Sequence, residues 1–129
     1  MHVVATDAAG NTQTSSTFAF SYDTTAPTSS TTFPAAGASY NAAGWNAGCG
    51  ATGLCGTASD GTSGVQQVQV SIRRSSDNAY WNGSAWSGTG DDLRTATGTT
   101  NWSYALAASN LADGLTYTVH VVATDVADN

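Results

Sequence analysis

The segment His2-Val-Val-Ala-Thr-Asp-Ala-Ala-Gly-Asn11 returns as His120-Val-Val-Ala-Thr-Asp-Val-Ala-Asp-Asn129, with eight of ten positions identical at an offset of 118 residues. Self-similarity at a fixed period is the signature of a tandem array, so the chain reads as one period plus a short overlap. Met1 aligns with Val119, inside a strand pattern that runs Tyr117-Thr-Val-His-Val-Val-Ala-Thr124. Boundaries between modules fall in flexible linkers rather than within strands. More modules of the same kind are therefore expected before Met1 and after Asn129. No secretory leader pattern occurs at Met1, which runs straight into strand sequence.

Composition then sets the class. The 129 residues include no Glu and no Lys, and charged residues make up 9%. The two missing types are strong helix formers, while the abundant Thr, Ser, Gly, Asn and Asp favour turns and strands. An all-β fold is expected. Net charge is −6, with Arg73, Arg74 and Arg94 the sole cationic side chains. Phosphate neutralisation needs a basic footprint, so nucleic acid is excluded as a partner. No apolar run approaches the roughly 20 residues that cross a bilayer, so membrane insertion by a helix is not expected.

Along the chain, Thr17-Phe-Ala-Phe-Ser-Tyr22 alternates apolar and small polar residues and predicts a half-buried strand that closes a preceding repeat over residues 1–22. Asp23-Thr-Thr-Ala-Pro27 is a short linker, and a new module is expected over 28–129. Within it, strands are predicted before Phe33-Pro34, over 54–59, over 65–73, around the Ala79–Trp86 hairpin, over 101–106 and over 117–124. Residues 40–53 read as loop, 60–64 as a turn, 91–100 as an irregular edge, and Asn82-Gly83 as a two-residue hairpin turn. About seven short strands per period predict a β-sandwich. The module from 28 to 129 would lack its own last strand, which a neighbouring copy could supply by strand addition, assembling copies head to tail.

Asp23-Thr-Thr-Ala-Pro27, Gly56-Thr-Ala-Ser-Asp60 with Ser63-Gly64-Val65, Asp113-Gly114-Leu-Thr-Tyr117 and Ala123-Thr-Asp125 together resemble bacterial immunoglobulin-like (Big-type) tandem repeats of large surface adhesins. The resemblance covers residues 23–129. It implies an immunoglobulin-like Greek-key β-sandwich, a location outside the cell or on the bacterial surface, and a non-catalytic spacer role in an adhesin or fibre. Its partners would be neighbouring repeats, other copies, or a cell-surface glycan or protein. Asp113-Gly114 followed by Tyr117 resembles the tyrosine corner, in which the phenol bonds back to nearby backbone.

Candidate sites are few. Cys49 and Cys55, with five residues between them of which two are Gly, suit a local disulfide; free thiols and half a zinc site are the alternatives. His2 and His120 occupy one position in two copies of a strand and read as exposed strand histidines rather than as bases beside a nucleophile. In the immunoglobulin order, the linker, the 60–64 loop and the loop after residue 124 meet at one pole. They bring Asp23, Asp60, Asp125, Asp128 and Asn129 together as a candidate calcium site. Asp and Asn at turns also bond local backbone without any metal. Tyr80, Trp81 and Trp86 are a candidate glycan-stacking platform, which would make the chain a carbohydrate-binding module or an accessory domain of a secreted hydrolase; burial in the hairpin is the competing reading.

Overall fold

The computed structural model describes residues 1–13 and 16–129. Thr14 and Ser15, inside the expected last strand of the preceding repeat, lie outside the described residues. Ten strands follow in chain order: β1 (His2–Val3), β2 (Ser16–Thr17), β3 (Thr28–Phe33), β4 (Gly53–Ser59), β5 (Val65–Arg74), β6 (Tyr80–Trp81), β7 (Trp86–Gly88), β8 (Arg94–Thr95), β9 (Asn101–Ala105) and β10 (Tyr117–Asp125).

The long strands form where alternation is strict. On β5 the side chains of Val68, Val70 and Ile72 share a face and are 0%, 0% and 3% exposed. β10 pairs with β5 antiparallel from Tyr117 opposite Arg74 to Asp125 opposite Val65, with an irregularity between Thr124 and Asp125. β6, β7 and β8 complete that sheet on the other side of β5. The second sheet runs β3–β4–β9 and faces the first through Phe33, Leu54, Ala58 and Trp102. Two antiparallel sheets closed over one apolar layer make a β-sandwich. Gly56 sits mid-strand in β4 because a Cβ there would run into the Ser30 carbonyl and the Trp102 indole.

Large aromatics join the layers without leaving polar atoms bare. Trp45 Nε1 donates to the Leu106 carbonyl at 2.8 Å, Trp102 Nε1 to Thr57 at 3.2 Å, and Trp86 Nε1 to Asn110 at 2.8 Å. The Ala112 amide donates to Tyr117 Oη at 2.8 Å, the bond expected of a tyrosine corner. Cys49 and Cys55 form the disulfide, which closes the loop between the second half of the 40–53 segment and β4.

Several details depart from the sequence reading. Within 40–53, Ala42–Asn46 forms a short helix, α1, which Asn41 caps by accepting from the Gly44 amide. The driving contact is Trp45, which α1 turns onto the core. The Ala79–Trp86 hairpin is present, but Asn82–Ala85 connects its strands. Asn82 Oδ1 accepts from the Ser84 and Ala85 amides, and Gly83 alone has the left-handed backbone. Residues 94–95 pair with β5 inside the expected irregular edge. Residues 18–22 are not a half-buried strand: Phe18, Phe20 and Tyr22 are 55%, 80% and 84% exposed. Alternation there finds no second sheet to pack on.

Candidate metal centre

Asp60 opens the turn between β4 and β5. Its Oδ1 accepts from the Thr62, Ser63 and Gly64 amides at 2.9, 2.7 and 2.8 Å, a local arrangement that the Asp-Gly-Thr-Ser-Gly sequence favours. Asp23, in the linker before β3, likewise accepts from the Thr25 amide through Oδ1 at 3.0 Å. Asp125 ends the core-facing row of β10 that contains Tyr117, Val119, Val121 and Ala123, and is fully buried. Its two oxygens accept from the Asn129 backbone amide at 2.9 Å and from Asn129 Nδ2 at 3.1 Å.

These three carboxylates converge. One oxygen from each lies within 4.8 Å of the others. Asp23 Oδ2 and Asp60 Oδ2 are buried and have no hydrogen-bond partner. Buried carboxylate oxygens are costly unless a donor or a cation faces them. In Asp23 and Asp60, Oδ1 serves the loop and Oδ2 is left without a partner. Calcium binds oxygen at 2.3–2.6 Å, so two ligands on one ion lie at most about 4.6–5.2 Å apart, which the 4.8 Å grouping meets.

The electrostatics fit the same picture. Hydrogen bonds from Gly64 and Thr62 hold the Asp60 carboxyl below its usual range. Burial pushes the Asp125 carboxyl up and the nearby Asp60 charge does the same; the Asn129 and Ala127 hydrogen bonds outweigh both and leave it lowered. The bonds to Asp60 and Asp125 therefore favour the charged form of both despite the proximity of their charges, which is the condition under which a divalent cation is favoured.

Asp128 and Asn129 are placed differently from the expectation. Asp128 adopts the left-handed backbone of a tight turn, with φ 64°, and stands outside the cluster. Asn129 buttresses it, since Nδ2 donates both to Asp125 and to the Asp23 carbonyl at 3.3 Å and so ties the linker to β10. The aromatic platform is not laid out at the surface. Trp81 is 5% exposed, while Trp86 is wedged between Trp81 and Tyr117, with ring centroids 5.3 and 5.1 Å away, and lies under Arg74. Tyr80 is half-buried beside them.

One polar group escaped the sequence reading. His120 Nδ1 meets Asp91 Oδ2 at 2.8 Å, and the neighbouring Ser71 hydroxyl and His120 hold the Asp91 carboxyl below its usual range. Ser71 opposite His120 in the β5–β10 register would have required knowing the pairing in advance.

No described helix is long and apolar enough to cross a membrane. The chain matches no protein-family model, and neither a curated protein nor a solved structure matches it.

Proposed function

We propose that the chain is a non-catalytic structural module of an extracellular bacterial adhesin or fibre, with immunoglobulin-like Greek-key topology and a calcium ion at Asp23, Asp60 and Asp125. The carrying observation is the grouping of the three carboxylates within 4.8 Å, in a place where Asp23 Oδ2 and Asp60 Oδ2 are buried without a partner. Asp23 belongs to the linker, Asp60 to the β4–β5 turn and Asp125 to the end of β10, so an ion held by all three stiffens the joint between successive repeats. A stiff joint is what a spacer or stalk needs to transmit position along an array. The disulfide and the 118-residue repeat agree with an oxidising, extracellular setting and a tandem array.

The test is thermal unfolding of the protein in chelator, in Ca²⁺ and in Mg²⁺. A ligand that binds only the folded state raises the melting temperature with its concentration. Calcium is expected to do so for the native chain and to do much less for Asp23→Asn and Asp60→Asn. Asn keeps an oxygen acceptor for each loop and removes the carboxylate charge. A calcium titration that leaves the melting temperature flat overturns the metal reading.

A further inference from the structure

We propose that the outer face of the β5–β10 sheet carries a site for one neutral sugar unit, held by Arg73, Asp91 and His120 and seated against Tyr80. Register builds the site. Thr118 on β10, Arg73 on β5 and Tyr80 on β6 are opposed across three strands, and His120 stands opposite Ser71 in the neighbouring outward row. Alternation turns Val70 and Ile72 to the core and so turns Ser71 and Arg73 away from it. Asp91, in the segment between β7 and β8, reaches the same face, with Oδ2 2.8 Å from His120 Nδ1. Ser71 is 2% exposed although its row faces outward. These six residues line one pocket of about 260 Å³.

The chemistry of the pocket selects its occupant. Among the described residues Arg74 holds Asp77 at 2.6 Å and Arg94 holds Asp92 at 3.3 Å, but Arg73 is in no ion pair. Its guanidinium brings N–H donors and no acceptor, while the Asp91 carboxylate keeps acceptor positions beyond the one that meets His120. Adjacent sugar hydroxyls both donate and accept, and need the two kinds of partner side by side. Arg73 and Asp91 balance in charge. An anion would face Asp91 in a chain of net charge −6, and a cation would face Arg73. A hydrocarbon would leave the polar walls without partners. Tyr80 supplies the apolar side: Trp81 turns inward and is 5% exposed, and Gly88, opposite Tyr80 on β7, has no side chain to cover the ring. Sugar C–H bonds pack on the negative face of such a ring. The volume is below the roughly 300–1,000 Å³ of pockets that enclose drug-sized molecules, so it suits a single ring with the rest of a glycan outside.

The site stands apart from the carboxylate cluster. His120 is five residues from Asp125, about 17 Å along the strand, and on the opposite face. All of its side chains come from β5, β6, β10 and the segment before β8, on the β5 side of β10. It would give the module an adhesive role beside the spacer role.

Amide NMR titrations of the isotope-labelled protein test this, with the methyl glycosides of glucose, galactose, mannose, fucose and N-acetylglucosamine as probes and glucuronate and N-acetylneuraminate as anionic counterparts. At least one neutral glycoside is expected to shift Ser71, Arg73, Tyr80, Thr118 and His120 together, with an affinity that salt leaves unchanged. Arg73→Gln and Asp91→Asn, both outside the core, are each expected to weaken that binding about tenfold, the loss of one charge-assisted hydrogen bond, with the melting temperature kept. Asp60→Asn is expected to bind the glycoside as the native chain does, which separates this outcome from that of the metal reading. No shift from any neutral glycoside, tighter binding of either anion, shifts centred elsewhere on the module, or full affinity in either pocket variant overturns the proposal.

Discussion

Residues 2–11 and 120–129 are close to the same sequence in two surroundings. Their loops are alike. Asp7 accepts from the Asn11 amide and from Asn11 Nδ2 at 2.9 and 2.8 Å, as Asp125 does from Asn129. The Gly10 amide reaches the Asp7 carbonyl at 3.1 Å and the Asp128 amide reaches Asp125 at 3.2 Å, with left-handed backbone at Gly10 and Asp128. Their strands differ. β1 has two residues and β10 nine; Val3 is 50% exposed, while its counterpart Val121 packs against the core. The loop is made by side chains bonding their own backbone, so it forms wherever the sequence occurs. The strand needs β5 beside it, because alternation has value only when one face is covered.

The largest break in that comparison should come from removing the cover. Val70, opposite Val121 in the register, is fully buried, and Val70→Ala is expected to cost on the order of 2 kcal/mol in chemical denaturation. The signals of residues 2–11 should not respond.

Next comes the pair Asp125→Ala and Asp7→Ala. The first strips two hydrogen bonds from Asn129 in a buried site and is expected to lower the melting temperature clearly. The second opens an exposed loop and is expected to leave the module's melting unchanged. Equal losses from both would mean that the loops, rather than their burial, carry the stability.

Val121→Ala against Val3→Ala is a gentler contrast. A cost of about 1 kcal/mol is expected at the half-buried position, and no more than about 0.5 kcal/mol at the exposed one, read from urea midpoints.

The smallest effect is the pH dependence measured in chelator. Asp60 and Asp125 titrate below 3.8 when folded and return to about that value when unfolded. Depressed carboxyls contribute stability above the unfolded pKa and lose it as pH falls through the folded one. Stability should therefore hold above pH 4 and decline below it. Asp77, lowered to about 2 by its bonds from Arg74 and the Ala79 amide, should add a shallow tail between about 3.8 and 2 that Asp77→Asn removes.

Much of the sandwich could be read without coordinates because alternation and turn residues report it directly. Val68, Val70 and Ile72 form one face in the sequence and in the core. The Asp60-to-Gly64 turn and the Cys49–Cys55 bridge are short-range and equally legible. The helix at 42–46 was not, since its stability comes from Trp45 reaching across the layers to the Leu106 carbonyl, a partner 61 residues away. The Asp23, Asp60 and Asp125 convergence could be inferred only by assuming a topology. Asp125 carried one further signal, since it lies on the odd-numbered inward row of β10.

The sequence by itself determined the all-β class, the near-identity of residues 2–11 and 120–129 and the Asp and Asn loops, and it favoured the local disulfide over free thiols, because each depends on residues close together or on a pattern along the chain. Tertiary structure decided which alternating segments are covered, which carboxylate oxygens are left bare, and which aromatics are core. Those outcomes depend on partners brought together from distant parts of the chain, so Trp81 is sealed by neighbours while Phe18, Phe20 and Tyr22, equally apolar and equally well patterned, face solvent.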